Sequence, residues 1–200
     1  MMLVEQTTVP GAALPVAEFK DHLRLGTGFA DDGVQDGVLE AYLRAAMAAI
    51  EARTGKILVS RAFTWTLTAW RDLASQALPV APVSAITSLT ITDRLGVDEL
   101  VDPSRYLLEQ DMQRPKLVST AICLPAIPVG GTVVIGFDAG FGAAWSDIPA
   151  DLNHAVMLLA GHFYEHRHDT STTEGAMPHG VDALIQRYRT VRLFGGGGAF

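Results

Sequence analysis

The sequence predicts an α+β fold in which a small antiparallel β region is inserted into a core of about four helices. Near both ends of the chain, apolar side chains recur at three- and four-residue steps, which is the period of one helix face. In the middle, residues 63–68 alternate apolar side chains with threonine (FTWTLT), which is typical of a half-buried strand. Proline and glycine then separate several short apolar runs, which favours a small sheet or sandwich.

Start and stop signals divide the chain into segments. Gly26 and Gly55 end two helical patterns, and Pro149 and Pro178 open two others in the first turn, where a missing N–H costs nothing. The predicted segments are an extended arm at 1–14, helices at 15–25, 32–54, 148–168 and 179–194, a β insertion at about 57–138 and a flexible Gly-rich tail at 195–200.

Composition narrows the class of protein. With 48% hydrophobic and 18% charged residues, the chain is globular, and a formal net charge of −7 argues against general nucleic-acid binding. Cys123 is the single cysteine, which fits a reducing compartment, and its apolar neighbours predict that it is buried. No apolar run is long enough for a membrane span and no signal peptide is recognised, so we expect a cytoplasmic protein without membrane contact.

The histidines are the strongest candidates for chemistry. His162 and His166 are four residues apart and share a helix face, as zinc ligands can. The zincin pattern His-Glu-x-x-His is absent, however, and no third ligand is fixed by the sequence. We therefore expect no catalytic residue, metal or cofactor. A small metal-dependent hydrolase using this pair stays as an alternative, as does a dimeric β-plus-α binding module.

The order of elements and several short motifs resemble the head–tail connector, or adaptor, proteins of long-tailed phages and gene transfer agents. The resemblance covers nearly the whole chain and rests on the motifs together. They are PVAEFKDHLR from Pro15, an aspartate pair leading into the helix that ends at Arg53-Thr54-Gly55, the threonine-rich strand, Ile148-Pro149 followed by HAVMLLAGHFYE from His154, and MPHGVDALI from Met177 followed by Tyr188-Arg189.

The resemblance implies a structural protein and no enzyme. Such adaptors form rings of about twelve copies between the portal and a stopper or tail-terminator protein, and DNA passes through the lumen without sequence-specific binding. This places the chain at the head–tail junction of a phage or gene-transfer-agent particle, made in the bacterial cytoplasm. The C-terminal segment of relatives reaches the portal, which points here to Tyr188, Arg189, Arg192, Leu193, Phe194 and, as an apolar anchor, Phe200.

Close packing of two helices is expected to support the ring or the core. The helices at 32–54 and 148–168 are rich in small residues, which lets helices approach each other closely. The residues predicted to pack there are Ala46, Ile50, Val156, Ala160 and Phe163.

Overall fold

The structure is a computed structural model that describes residues 1–25, 33, 35–167 and 177–189. It confirms an α+β fold with a β region between helices. The helices are α1 (Val16–His22), α2 (Asp36–Thr54), α3 (Ala150–Glu165) and α4 (His179–Ile185), with 3₁₀ turns at Gly11–Ala13, Pro103–Arg105, Trp145–Asp147 and Gln186–Tyr188. The strands are β1 (Met2–Glu5), β2 (Arg61–Leu67), β3 (Ser75–Ala77), β4 (Val83–Thr92), β5 (Asp98–Leu100), β6 (Tyr106–Glu109), β7 (Lys116–Ser119) and β8 (Thr132–Ala139).

The β region consists of two antiparallel sheets that share one apolar core. The five-stranded sheet has the order β1-β2-β8-β4-β5, and the three-stranded sheet has the order β3-β7-β6. In β2 the alternating side chains Phe63, Trp65 and Leu67 are buried, as the period of two predicts. They pack with Leu117 of the smaller sheet and Ile135 of β8 in the same cluster.

The helices form a second core beside the sheets. The helices α2 and α3 pack on each other, and α1 and α4 cover them. Leu39, Leu43 and Ile50 of α2 have no exposed surface, and neither do Leu152 and Val156 of α3. The two predicted α blocks therefore pack together although the β region separates them in the sequence.

A buried ion pair joins the helical core to the larger sheet. The Glu51 carboxylate at the end of α2 accepts a hydrogen bond from Arg61 at the start of β2, at 2.6 Å. Both side chains are about nine-tenths buried. Burial raises the pKa of the Glu51 carboxyl, and the Arg61 guanidinium opposes part of that rise. Arg61 also contacts Glu5 of β1 at 3.3 Å, so one guanidinium links α2, β1 and β2.

Several predicted bounds differ from the structure. The extended arm at 1–14 is wrong in part, because Met2–Glu5 pairs with β2 as an edge strand, and Val9 and Leu14 are buried in the helical core. The long helix begins at Asp36, later than predicted, and Asp31 and Asp32 lie outside the described residues. Helical structure in the last segment ends at Tyr188, because Arg189 is extended.

Cys123 is exposed, so the expectation that it is buried was wrong. It lies in the loop between β7 and β8, where no regular period relates its burial to that of its neighbours. Leu124 is buried there whereas Ile122 is almost fully exposed. The short strand β3 (Ser75–Ala77) was not predicted at all, since three residues carry too little pattern.

Enlarging a side chain between α2 and α3 should destabilise the protein. Ala46 has no exposed surface, so Ala46→Leu has to force its neighbours apart. We expect the free energy of unfolding to fall by about 1–3 kcal/mol, measured by urea denaturation. Ala48→Leu is the matched control, since Ala48 is exposed on the same helix. Equal effects of the two substitutions would contradict this packing.

Removing Arg61 should leave Glu51 as a buried, poorly compensated carboxylate. We expect Arg61→Met to lower the free energy of unfolding at neutral pH by about 3 kcal/mol. Without Arg61 the pKa of the buried Glu51 carboxyl rises further. The folded variant tolerates the protonated carboxyl better than the carboxylate, so it is more stable at low pH and loses that stability as the pH rises through the pKa of Glu51. The deficit relative to the unmodified chain should therefore shrink towards about pH 5.

Denaturant unfolding at both pH values measures the deficit. Lys116→Met is the control, because it breaks the exposed Lys116–Glu109 pair (3.3 Å) and should change stability little. A deficit for Arg61→Met that is independent of pH is the result that contradicts the assignment.

Candidate functional site

The end of the described chain is fixed to the protein body by Tyr188. Its side chain is 7% exposed, and its hydroxyl donates a hydrogen bond of 2.8 Å to Asp151 Oδ1 in the first turn of α3. Arg187 donates to the Tyr188 hydroxyl at 2.5 Å and lies 2.7 Å from Asp151 Oδ2. The Tyr188 ring packs edge-on against Phe141, with 6.4 Å between ring centroids. Burial raises the pKa of the Tyr188 hydroxyl, so it stays a neutral donor.

Local sequence explains why the chain reaches this position. Pro178 sets the start of α4, where its carbonyl accepts from the N–H groups of Val181 and Asp182. Val181 and Ile185 are fully buried in the helical core. The helix then tightens into the turn Gln186–Tyr188, and Arg189 leaves it with an extended backbone (φ −68°, ψ 126°). We call Tyr188 and Arg189 the C-terminal exit.

The predicted portal-binding residues divide into three groups. Tyr188 is buried against the body, so within this subunit it anchors the exit. Arg189 is exposed, and its guanidinium lies 3.7 Å from Asp182. Arg192, Leu193, Phe194 and Phe200 lie outside the described residues. The Asp151–Arg187–Tyr188 network was not predicted, because no local pattern links Asp151 to a partner 37 residues away.

The predicted helix-packing residues lie in the helical core. Ala46, Ile50, Val156 and Ala160 have no exposed surface, and Phe163 is half-buried against the same cluster. Fully buried side chains contact their own subunit, so their position accounts for core packing. A contribution to a ring would have to come from other, exposed side chains.

The two histidines of the alternative hypothesis are close together at the end of α3. Their ring centroids are 4.2 Å apart, and His166 Nδ1 lies 3.0 Å from the carbonyl oxygen of His162. Within the described part of the chain, no group of three or more histidine, cysteine or acidic side chains could hold a metal ion. His168, which follows the pair by two residues in the sequence, lies outside the described residues.

A shallow groove is lined in part by the loop that follows Phe141, the residue on which Tyr188 packs, and we call it the exit groove. It has a volume of about 370 Å³, at the lower end of the range for ligand-binding pockets. One wall is the segment 10–18 and the other is the loop 143–145. Its lining includes Pro10, Ala13, Pro15, Glu18, Ala144 and Trp145.

Backbone contacts hold the second wall of the exit groove in place. The Ser60 N–H donates to the carbonyl of Gly142 at 2.7 Å, which ties the loop to the start of β2. A side chain at Gly140 would collide with the backbone of Ser60, and φ there is +140°, so glycine is required for this approach. The Ala144 N–H donates to the Asp147 carboxylate at 2.9 Å.

Comparison with solved structures reveals three particle components of the same fold. A chain in the neck of an empty gene transfer agent (GTA) particle, computed with C6 symmetry, has a TM-score of 0.89 and 57% identity, over 98% of this chain and 99% of that one. A chain in the virion of a native GTA particle has a TM-score of 0.87 and 57% identity over the same shares. A chain in the neck of a native GTA particle, computed with C12 symmetry, has a TM-score of 0.85 and 52% identity, again over 98% and 99%.

These relatives define the class as structural components of a phage-like particle. The similarity spans nearly the full length of both chains, so this chain belongs to the head–tail connector (adaptor) family of long-tailed phages and gene transfer agents. Neither family models nor curated proteins gave a match. Among the described helices, none is both long and apolar enough to cross a membrane.

Removing the Tyr188 hydroxyl should loosen the C-terminal exit. Tyr188→Phe keeps the ring on Phe141 and loses the hydrogen bonds to Asp151 and Arg187, so we expect the free energy of unfolding to fall by about 1 kcal/mol. Amide hydrogen exchange of residues 186–189 should also speed up. Tyr164→Phe is the control, because the Tyr164 hydroxyl has no hydrogen bond among the described residues. Unchanged exchange at the exit would contradict the anchoring role.

Proposed function

We propose that this chain forms a ring in the neck of a gene transfer agent particle, at the head–tail junction. The observation that carries the proposal is the near full-length similarity, at up to 57% identity, to chains of GTA necks. Those necks were computed with C6 and C12 symmetry, which is the symmetry of closed rings of copies. A ring of about twelve copies fits both, because six divides twelve.

The ring joins the portal on one side to a stopper or tail-terminator protein on the other. The C-terminal exit supports the portal side of this proposal. Tyr188 is the last buried residue that the structure describes, and the extended Arg189 precedes the residues of the predicted portal-binding segment. Those residues include Arg192, Leu193, Phe194 and Phe200, a basic and apolar set suited to a cleft with acidic and apolar walls.

DNA passes through the lumen of this ring without being held. A lumen that gripped phosphates would slow the passage of DNA, and cationic side chains are what grips them. The formal net charge of −7 supports weak contact with DNA. A structural role of this kind requires no catalytic group, metal or cofactor.

Light scattering of the chain alone and mixed with its portal tests this function. We expect a complex with equal copy numbers of portal and adaptor, and loss of that complex when residues 190–200 are deleted. The deletion keeps Tyr188 and so leaves the packed body intact. As a control for tail length, residues 191–194 are replaced by a Gly/Ser segment in the full chain, which should also lose binding. Failure of the unmodified chain to bind the portal at both low and moderate salt would overturn the proposal that this chain joins the portal.

A further inference from the structure

We infer that, before assembly, the segment 190–194 of this chain binds in cis to the exit groove of the same subunit. The groove is the cavity lined by the loop that follows Phe141, on which Tyr188 packs. The inference adds a second binding site for the segment that the proposed function assigns to the portal. It can be tested without any portal.

The segment can reach the exit groove. Tyr188 packs on Phe141, and the groove wall begins two residues further along that loop, at Ala143. Two residues span at most about 7 Å, and the four residues from Arg189 to Leu193 span at most about 14 Å. The segment is therefore about twice as long as the stretch of loop that separates Phe141, the partner of Tyr188, from the groove wall.

The lining of the groove suits the apolar side chains of the segment. Leu14 beneath it is buried, whereas Ala12 and Ala144 on its walls are exposed. Proline, alanine and the Trp145 indole offer a rigid apolar surface with little side-chain entropy to lose. Val191, Leu193 and Phe194 supply apolar side chains that could cover it.

Charge around the groove is complementary to the segment. Glu18 lines the groove and is exposed, and Asp147 accepts a hydrogen bond from the wall residue Ala144. A Glu40 carboxylate oxygen lies 3.7 Å from the position that a side chain would take at Gly11. Arg44 lies 3.8 Å from the Glu40 carboxylate and donates to the Val9 carbonyl at 2.8 Å, so the charge of Glu40 is compensated within the protein. Glu18 is thus the acidic side chain of the groove lining that could pair with Arg192, the cationic side chain of 190–194.

Cis binding controls when the segment is available. A chain whose segment occupies its own groove binds a portal only from the fraction in which the segment is released, so its apparent affinity is reduced by that fraction. This consequence rests on the proposed function, whereas cis binding itself does not. Weakening the groove contact should then strengthen portal binding.

Disulfide trapping in the full-length chain tests cis binding directly. Cys123 is first replaced by serine, which is tolerable because the Cys123 side chain is exposed. Ala144→Cys in the groove wall is combined with Leu193→Cys, and the protein is oxidised at low concentration. We expect an intrachain disulfide, seen as a monomer of altered mobility on a non-reducing gel. Ala150→Cys with Leu193→Cys is the matched control, since Ala150 is exposed beside Asp151 and lies outside the groove.

Each outcome of the trapping decides the inference. Faster intrachain bonding at Ala144 than at Ala150 supports cis binding. Equal rates would show only that the segment samples its surroundings, and interchain bonds would assign the groove to the segment of a neighbouring copy; either result overturns the inference. No bond at Ala144 overturns it as well.

Charge reversal provides a second readout. Glu18→Lys should slow the Ala144–Leu193 bond roughly two- to fivefold, the effect of losing an exposed ion pair. Glu99→Lys, an exposed acid of β5, should leave the rate unchanged. If the chain binds the portal but no disulfide forms between Ala144→Cys and Leu193→Cys, only the cis-binding inference is wrong and the proposed function stands. If the intrachain disulfide forms in a chain that does not bind the portal, the proposed portal binding is wrong and the cis-binding inference stands.

Discussion

The buried Glu51–Arg61 pair is the contact on which the arrangement of the two halves depends. The apolar residues divide into a helical core and a β core. Glu51 accepts from Arg61 and also from the Leu58 N–H at 2.9 Å, so one carboxylate fixes the turn between α2 and β2. Because desolvation offsets much of its Coulomb energy, such a pair contributes less to stability than to the choice of one geometry. The path of the chain from helix to sheet is set by this pair together with the hydrogen bond from the Ser60 N–H to the Gly142 carbonyl.

The helix α3 carries that geometry to the C-terminal exit. It begins shortly after β8 and packs on α2, so its position depends on both cores. Asp151 in its first turn holds Tyr188 and Arg187, and Phe141, just past β8, supports the same tyrosine. The place where the last residues leave the body is therefore set by the junction of sheet and helices. An adaptor that must present its tail at a defined position in a ring needs this kind of fixed origin.

Periodic features of the sequence predicted most of the fold, and contacts distant in sequence account for what was missed. The alternation around Trp65 and the stripes of α2 and α3 were sufficient, because burial on one face imposes a period on consecutive residues. The edge strand β1 was read as an arm, since its pairing with β2 spans some sixty residues. The hydrogen bond between Asp151 and Tyr188 was missed because nothing local in the sequence reveals it. Family motifs indicated the function, but they carry no information about the exit groove.

The two proposals, that the tail binds its own exit groove and that it binds the portal, together favour assembly of whole rings over capture of single chains. The exit groove is small, and an exposed pair such as Glu18–Arg192 contributes only about 0.2–1 kcal/mol, so cis binding is weak. For one chain, the proposed groove contact competes with one proposed portal contact. In the proposed ring, many tails meet the portal at high effective concentration, and simultaneous binding offsets the cost of releasing each groove. The groove would thus lower the portal affinity of a single chain more than that of a whole ring, and the assembled neck would lose little stability.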